Sequence, residues 1–400
     1  MSETIVLAFS GGLDTSWCIP WLTEHHDAEI VTVTVDVGGL GEQASEQLEA
    51  RSRLLGASRH VHVDARQLFF DEVLRFLIMG HVRKGGSYPL CVGAERTLQA
   101  REVARIATEM GATAVAHGCT AAGNDQVRFE IALRVLAPNL QILAPIRDQA
   151  PSRQEEVAFL EARGFPVPAH GALYSVNSGL WGVTIGGAET TGTRDGLPER
   201  AWVRTRGAFD DPREPELLHL GFERGLPVFL NHERMDPVAL IEGLDSIAAS
   251  FGIGRGMHLG DTILGFKGRV AFEAPAAEVL LLAHRELEKL VLTASQMRVK
   301  DSLAATYGDL IHEGRHLDPA ARDIEALFNS SQLRVSGDVN LRLRPGMAFV
   351  EGVTSKHSIH AACGSIYGEE AHDWSPDDAR GFTRIAALPL VLQSRAEAKA

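Results

Sequence analysis

An α/β fold, a parallel sheet with helices on both faces followed by a second α+β domain, is predicted by three observations. Short runs rich in β-branched residues alternate with amphipathic stretches through the first part of the chain. A glycine–serine turn sits directly between one such run and the helix that follows it. The alternation then stops at Pro166-Val167-Pro168 and the glycine-rich stretch 171–196, beyond which the pattern is mixed. Alternating strands and helices imply parallel pairing, because each crossover helix returns the chain to the same end of the sheet. A chain of 400 residues also exceeds what one hydrophobic core usually serves. The expected division is 1–168, 169–385 and a tail 386–400.

The first strand, 4–9, contains Ile5-Val6-Leu7-Ala8-Phe9 and runs straight into Ser10-Gly11-Gly12-Leu13-Asp14-Thr15-Ser16, the start of a helix over 14–25. Gly11 and Gly12 can adopt backbone angles closed to other residues and let the main chain approach a ligand. Ser10, Thr15 and Ser16 add hydroxyl donors beside the free N–H groups of a helix N-terminus, which attracts anions. The arrangement is a phosphate cradle without the lysine of a Walker A loop. Further strands are expected at 29–35, 59–63, 113–116 and 141–145, with helices near 42–55, 65–81, 93–110 and 124–136. Ligands bind at the carboxyl ends of strands in such sheets, so segments 10–16 and 117–130 should face one crevice.

Segment 117–130 places Thr120, Asn124, Asp125 and Arg128 around a helix start. Asn124 and Arg128 are four apart and share a helical face. The Arg128 fork suits a substrate carboxylate, while Thr120, Asn124 and Asp125 suit a second polar substrate whose ammonium would meet Asp125. Past the boundary, helices are expected at 237–251, 276–292 and 316–328, and strands near 333–343 and 347–353. Residues 393–400 read as a short helix or a frayed end. His25, His26 and His258 have no ligand partners at useful spacing, so surface or loop roles are expected for them, and no metal site is predicted.

Composition narrows the function classes. A net charge of −13 argues against a broad nucleic-acid surface. No apolar run reaches bilayer length, so no membrane partner is expected. The four cysteines (Cys18, Cys91, Cys119, Cys363) are scattered, which suits reduced thiols in a cytoplasm. No basic segment precedes an apolar one near Met1, so a cytoplasmic location is expected.

The loop Ala8-Phe9-Ser10-Gly11-Gly12-Leu13-Asp14-Thr15-Ser16 and the segment Ala116 to Glu130 together resemble the argininosuccinate synthase family. Weaker matches are Asp36-Val37-Gly38, Tyr88, Arg96, Ala144-Pro145 with Arg147, Tyr174-Ser175, Leu180-Trp181-Gly182 and the run Ala283 to Glu288. The resemblance spans nearly the whole chain. It implies a pyrophosphate-loop domain of the adenine nucleotide alpha hydrolase-like type, followed by a synthetase and multimerisation domain. It also implies the chemistry: with ATP and Mg2+, a ureido oxygen of citrulline or a related compound is adenylated, pyrophosphate leaves, and the amine of aspartate displaces AMP. By resemblance, ATP contacts fall on Ala8 to Ser16 of the loop, on Val35 and on Gly118. Aspartate would meet Thr120, Asn124 and Asp125, and the citrulline-type substrate Tyr88, Asn124, Arg128, Ser175 and Thr184. The catalytic set implied is Asp14, Asn124, Asp125 and Arg128, in a homotetramer whose C-terminal segment reaches a neighbour.

Departures from the family pattern cluster at one place. Val92 and Gly93 stand where the family has threonine and a small polar residue, and Ala122 stands for a lysine. Gly260 aligns with a glutamate and Phe272 with a tyrosine, although Asp261 and Glu273 lie close enough in sequence to compensate. If those contacts are simply missing, Gly260→Glu with Phe272→Tyr should improve citrulline use. The alternatives are a paralogue using another ureido or carbamoyl compound, a tRNA sulfurtransferase with Cys91 and Cys119 as its pair, and a catalytically silent nucleotide-binding protein.

Overall fold

A computed structural model describes residues 3–41, 43–167, 173–210, 213–364, 367–369 and 372–398. Five strands, β1 (Glu3–Ala8), β2 (Ala28–Asp36), β3 (Arg59–Asp64), β4 (Ala114–His117) and β5 (Gln141–Leu143), form the predicted parallel sheet in the order β3-β2-β1-β4-β5. Its two faces are filled by alternate residues of the same strands. Val6, Val31, Val33 and Val115 enter one core, while Ile5, Leu7, Ile30, Ala114 and Ala116 enter the other. A strand buried on both faces has to be apolar at every position, which is why these runs are continuous rather than alternating. In register, Ala8 pairs with both Val33 and His117, so β1, β2 and β4 end at one level.

Beyond the sheet lie β6 (Ser175–Gly179), β7 (Gly182–Gly186), β8 (Glu216–Glu223), β9 (Leu226–Leu230), β10 (Glu233–Arg234), β11 (Arg255–Asp261), β12 (Lys267–Glu273), β13 (Gly337–Arg344) and β14 (Met347–Thr354). They build two antiparallel sheets, ordered β11-β12-β7-β6 and β10-β9-β8-β13-β14. Of these nine strands only β13 and β14 were expected from the pattern; the expected start at 333 falls in a short 3₁₀ turn, Gln332–Arg334. The helix Ala294–His312 was also not expected, because few of its residues before Tyr307 are buried and it shows no clear apolar stripe.

The β6–β7 hairpin docks against the turn that follows β2. Gly38 and Gly39 have φ of +95° and +82°, and a Cβ at either would come within 3 Å of the hairpin backbone at Leu180 or Gly179. Leu180 N donates to Val37 O at 3.0 Å, and the buried Trp181 indole donates to Pro89 O at 2.9 Å. These contacts bring the second part of the chain over the carboxyl ends of the parallel strands. The proposed boundary at Pro168 lies outside the described residues. Residues 356–400 form a separate compact unit, in which the helix Pro376–Glu397 runs through the expected tail start at 386. Among the described residues, no helix is long and apolar enough to cross a membrane.

Candidate active site

The carboxyl ends of β1, β2 and β4 open into a cavity of about 1460 Å³. From the phosphate loop it is lined by Ala8, Phe9, Ser10, Gly12, Leu13, Asp14 and Thr15, joined by Val35 and Gly118. Thr120, Asn124, Asp125 and Arg128 line it from the second motif. Tyr88, Ser175 and Thr184 close it from above. Two expected residues do not line it: Gly11, and the fully buried Ser16, whose hydroxyl donates to Gly11 O and accepts from Arg51 Nε at 2.9 Å. Both shape the loop from behind.

The loop folds as an anion cradle. Gly11 adopts φ +74°, and the helix Leu13–His25 starts at Gly12 with no side chain capping its first turn. The helix Asn124–Leu136 starts at Gly123, likewise uncapped. Both N-termini therefore present unsatisfied N–H groups and positive dipole ends to the cavity. Gly118 completes the close approach, since a Cβ there would lie 2.9 Å from Thr15 Cγ2 and 3.3 Å from Thr15 N.

The second motif is a chain of alternating charges. Asp125 Oδ1 accepts from Arg128 Nη1 at 2.7 Å and Oδ2 from Arg96 Nε at 3.0 Å. Burial raises the Asp125 pKa, but the two guanidinium groups more than reverse this and hold it at about 2. The Arg128 fork, expected to meet a substrate carboxylate, is engaged here: Nε donates to His312 O at 2.7 Å and Nη2 faces His312 Nδ1 at 3.2 Å. Asn124 Oδ1 accepts from Ile263 N at 2.9 Å, tying the motif to the β11–β12 turn.

Two lining residues escaped sequence reasoning. Glu95 is buried, its Oε1 accepts from Arg96 Nη1 at 3.0 Å, and its Oε2 has no hydrogen-bond partner among the described residues. Burial, only partly offset by Arg96, pushes its pKa up to about 8. A folded-state pKa above the unfolded one makes the unfolded chain release its proton first, so stability is lost as pH rises from about 4.5 through about 8. Glu95→Gln should therefore gain on the parent by on the order of a few kcal/mol between about pH 5 and about pH 8.5 in urea titrations. A stability difference that does not change with pH would contradict this. Its only sequence signal was an acidic residue beside Arg96 at a helix start.

His258 is the second. It was expected on the surface or in a loop, but it is buried, lines the cavity and stacks on Tyr88 at 5.2 Å between ring centroids. A Cβ at Gly260 would lie 2.5 Å from His258 Nε2, so the ring fills the space a side chain at 260 would need. Gly260→Glu therefore cannot be accommodated while His258 stays in place. Of the two residues expected to compensate, Asp261 lines the cavity and Glu273 does not. Asp261 is exposed and paired with Lys267 at 2.6 Å, while the buried Glu273 accepts from the N–H groups of Val203, Arg204 and Thr205. Lys267 is held in that pair and is absent from the cavity lining.

The family model described as the arginosuccinate synthase N-terminal HUP domain matches residues 4–166, and that described as the arginosuccinate synthase C-terminal domain matches residues 174–393. The argininosuccinate synthase of Methanocaldococcus jannaschii is 39% identical over 361 residues, 90% of this chain and 91% of that protein. That of Xanthomonas campestris pv. campestris is 39% identical over 399 residues, 98% and 99% of the two chains. That of Dehalococcoides mccartyi strain BAV1 is 38% identical over 398 residues, 99% and 97% of the two chains.

Proposed function

This chain belongs to the argininosuccinate synthase family of ATP-dependent ligases, and we propose that it joins the amine of aspartate to a ureido carbon with cleavage of ATP to AMP and pyrophosphate. The observation that carries this reading is that both motifs and the β6–β7 hairpin share one cavity. A ureido carbon resists amines because its oxygen is a poor leaving group. Adenylation of that oxygen turns it into part of AMP, a good one. The protein's task is then to align the partners and stabilise charge.

In this reading Ala8 to Thr15 and Gly118 hold the triphosphate against two helix N-termini, and Val35 lies beside the adenine. The fit rests on Gly118, where a Cβ would press on Thr15 and the backbone of Asp14 in the loop. Mg2+ would travel with the triphosphate, with Asp14 as the loop's carboxylate; among the described residues no group of three His, Cys, Asp or Glu side chains forms a cation site. Thr120, Asn124 and Asp125 orient aspartate, with Asp125 ionised and pinned by Arg96 and Arg128. Tyr88, Asn124, Arg128, Ser175 and Thr184 surround the acceptor. The domains divide near 168, supported by family models that end at 166 and resume at 174. A cytoplasmic homotetramer completes the proposal.

The test is an isotope transfer. With an acceptor labelled with heavy oxygen in its ureido group, AMP should carry the label, because that oxygen becomes bonded to phosphorus. AMP formed without label would remove adenylation of the ureido oxygen from the mechanism.

A further inference from the structure

The phosphate end of the cavity is built without a lysine. The loop Ser10 to Ser16 has none, and Ala122 stands where the family pattern carries one. The cationic side chains that line the cavity are Arg96, Arg128, Arg153 and Arg269. Arg96 and Arg128 both hold Asp125, and Arg269 Nη1 donates to Glu189 O at 3.2 Å and Gly192 O at 2.7 Å. Arg153 is different. It is exposed and makes no hydrogen bond, ion pair or ring contact among the described residues.

Helix packing sets where Arg153 stands. The helix Arg153–Glu161 lies alongside the helix Leu13–His25 and runs in the same direction. Just past its end, Arg163 pairs with Glu24 at 2.5 Å. Nearer its start, Phe159 packs on Trp17 at 5.3 Å between ring centroids, and Glu156 faces Asp14. Moving toward the start of one helix is thus moving toward the start of the other. Arg153 comes level with the phosphate loop just ahead of Asp14. Glu156, one turn on, is buried and feels the Arg153 charge without pairing with it. Ser152 and Glu155 form a capping box at this helix start, so its backbone is already served. What the helix brings to the cradle is a side-chain charge.

We infer that Arg153 binds the outer phosphates of ATP and the pyrophosphate they become. This inference rests on the ligase reading given above. In that reaction the ureido oxygen bonds to the α-phosphorus, and the bond from that phosphorus to the bridging oxygen breaks. The electron pair stays on the bridging oxygen, so negative charge grows on the departing pyrophosphate. A guanidinium fork offers such a group two parallel N–H donors. Arg153 gives up no partner to make that contact, whereas Arg96 and Arg128 would each have to leave Asp125.

The test is calorimetry on the full chain with Mg2+ and three ligands: ATP, inorganic pyrophosphate and AMP. Arg153→Gln should weaken ATP and pyrophosphate by about tenfold or more. AMP lacks the outer phosphates, so its affinity should stay within about twofold of the parent's. Arg153→Lys keeps the charge but not the fork and should fall between parent and Arg153→Gln. Unchanged binding of ATP and pyrophosphate in Arg153→Gln overturns the inference and leaves the ligase reading standing. Equal weakening of all three ligands does the same, because it marks Arg153 as a residue that shapes the loop. A parent chain that binds neither ATP nor pyrophosphate overturns both.

Discussion

Asp125→Ala is expected to lower kcat/KM for aspartate by about three decades while ATP affinity changes by less than about threefold. The Asp125 carboxylate is where the two motif arginines meet, 2.7 Å from Arg128 Nη1 and 3.0 Å from Arg96 Nε. Without it, Arg96 keeps Gln99 Oε1 at 2.7 Å, Asn177 Oδ1 at 3.1 Å and the raised-pKa Glu95, while Arg128 keeps, among the described residues, its contacts with His312. Two guanidinium groups then face the position proposed for an incoming ammonium group. Loss of a partly buried pair should also cost about 2–4 kcal/mol of stability. Asp125→Asn separates the effects, since it keeps shape and one acceptor but loses the charge. If both variants lost ATP binding and amine transfer equally, Asp125 would be a structural residue of the loop region rather than the anchor of the amino acid.

Where the sequence was legible, the signal was local. The parallel sheet followed from β-branched runs such as Ile30 to Val35, and the cradle from glycines set directly between β1 and a helix. Where it was illegible, the structure comes from pairing at a distance. β6 reads Ser-Val-Asn-Ser-Gly and is exposed over four of its five residues; it is a strand because β7 pairs with it and because Gly38 and Gly39 let its turn dock. β11, with Gly256 and Gly260 in it, is held by full pairing to β12. His258 fails the test of ligand spacing in sequence, yet its importance comes from stacking on Tyr88, which no periodicity encodes. The same distance hid the partners of Asp261 and Glu273. Adjacent in sequence to the altered positions, one turns to Lys267 and the other into the backbone of 203–205.

Gly118→Ala should weaken ATP binding by about ten- to a hundredfold, because the added methyl has nowhere to go except into the cradle. It would lie 2.9 Å from Thr15 Cγ2, 3.3 Å from Thr15 N and 3.4 Å from the carbonyl carbon of Asp14. Thr15 cannot swing aside cheaply. Its β-branched side chain is stiff, and its hydroxyl is engaged with Ser10 Oγ at 3.2 Å and Gly12 O at 3.4 Å. The strain therefore passes to the first turn of the helix Leu13–His25, whose N–H groups are the proposed phosphate contacts. β4 offers no relief, since it is paired on both sides and buried along its length. Gly352→Ala is the matched control: a Cβ there meets nothing within 4 Å, so nucleotide binding should be unchanged. ATP titrations of the two variants decide the point. If Gly118→Ala binds ATP as the parent does, the triphosphate does not sit between the two helix N-termini, and the cavity's phosphate end has to be sought elsewhere along its wall.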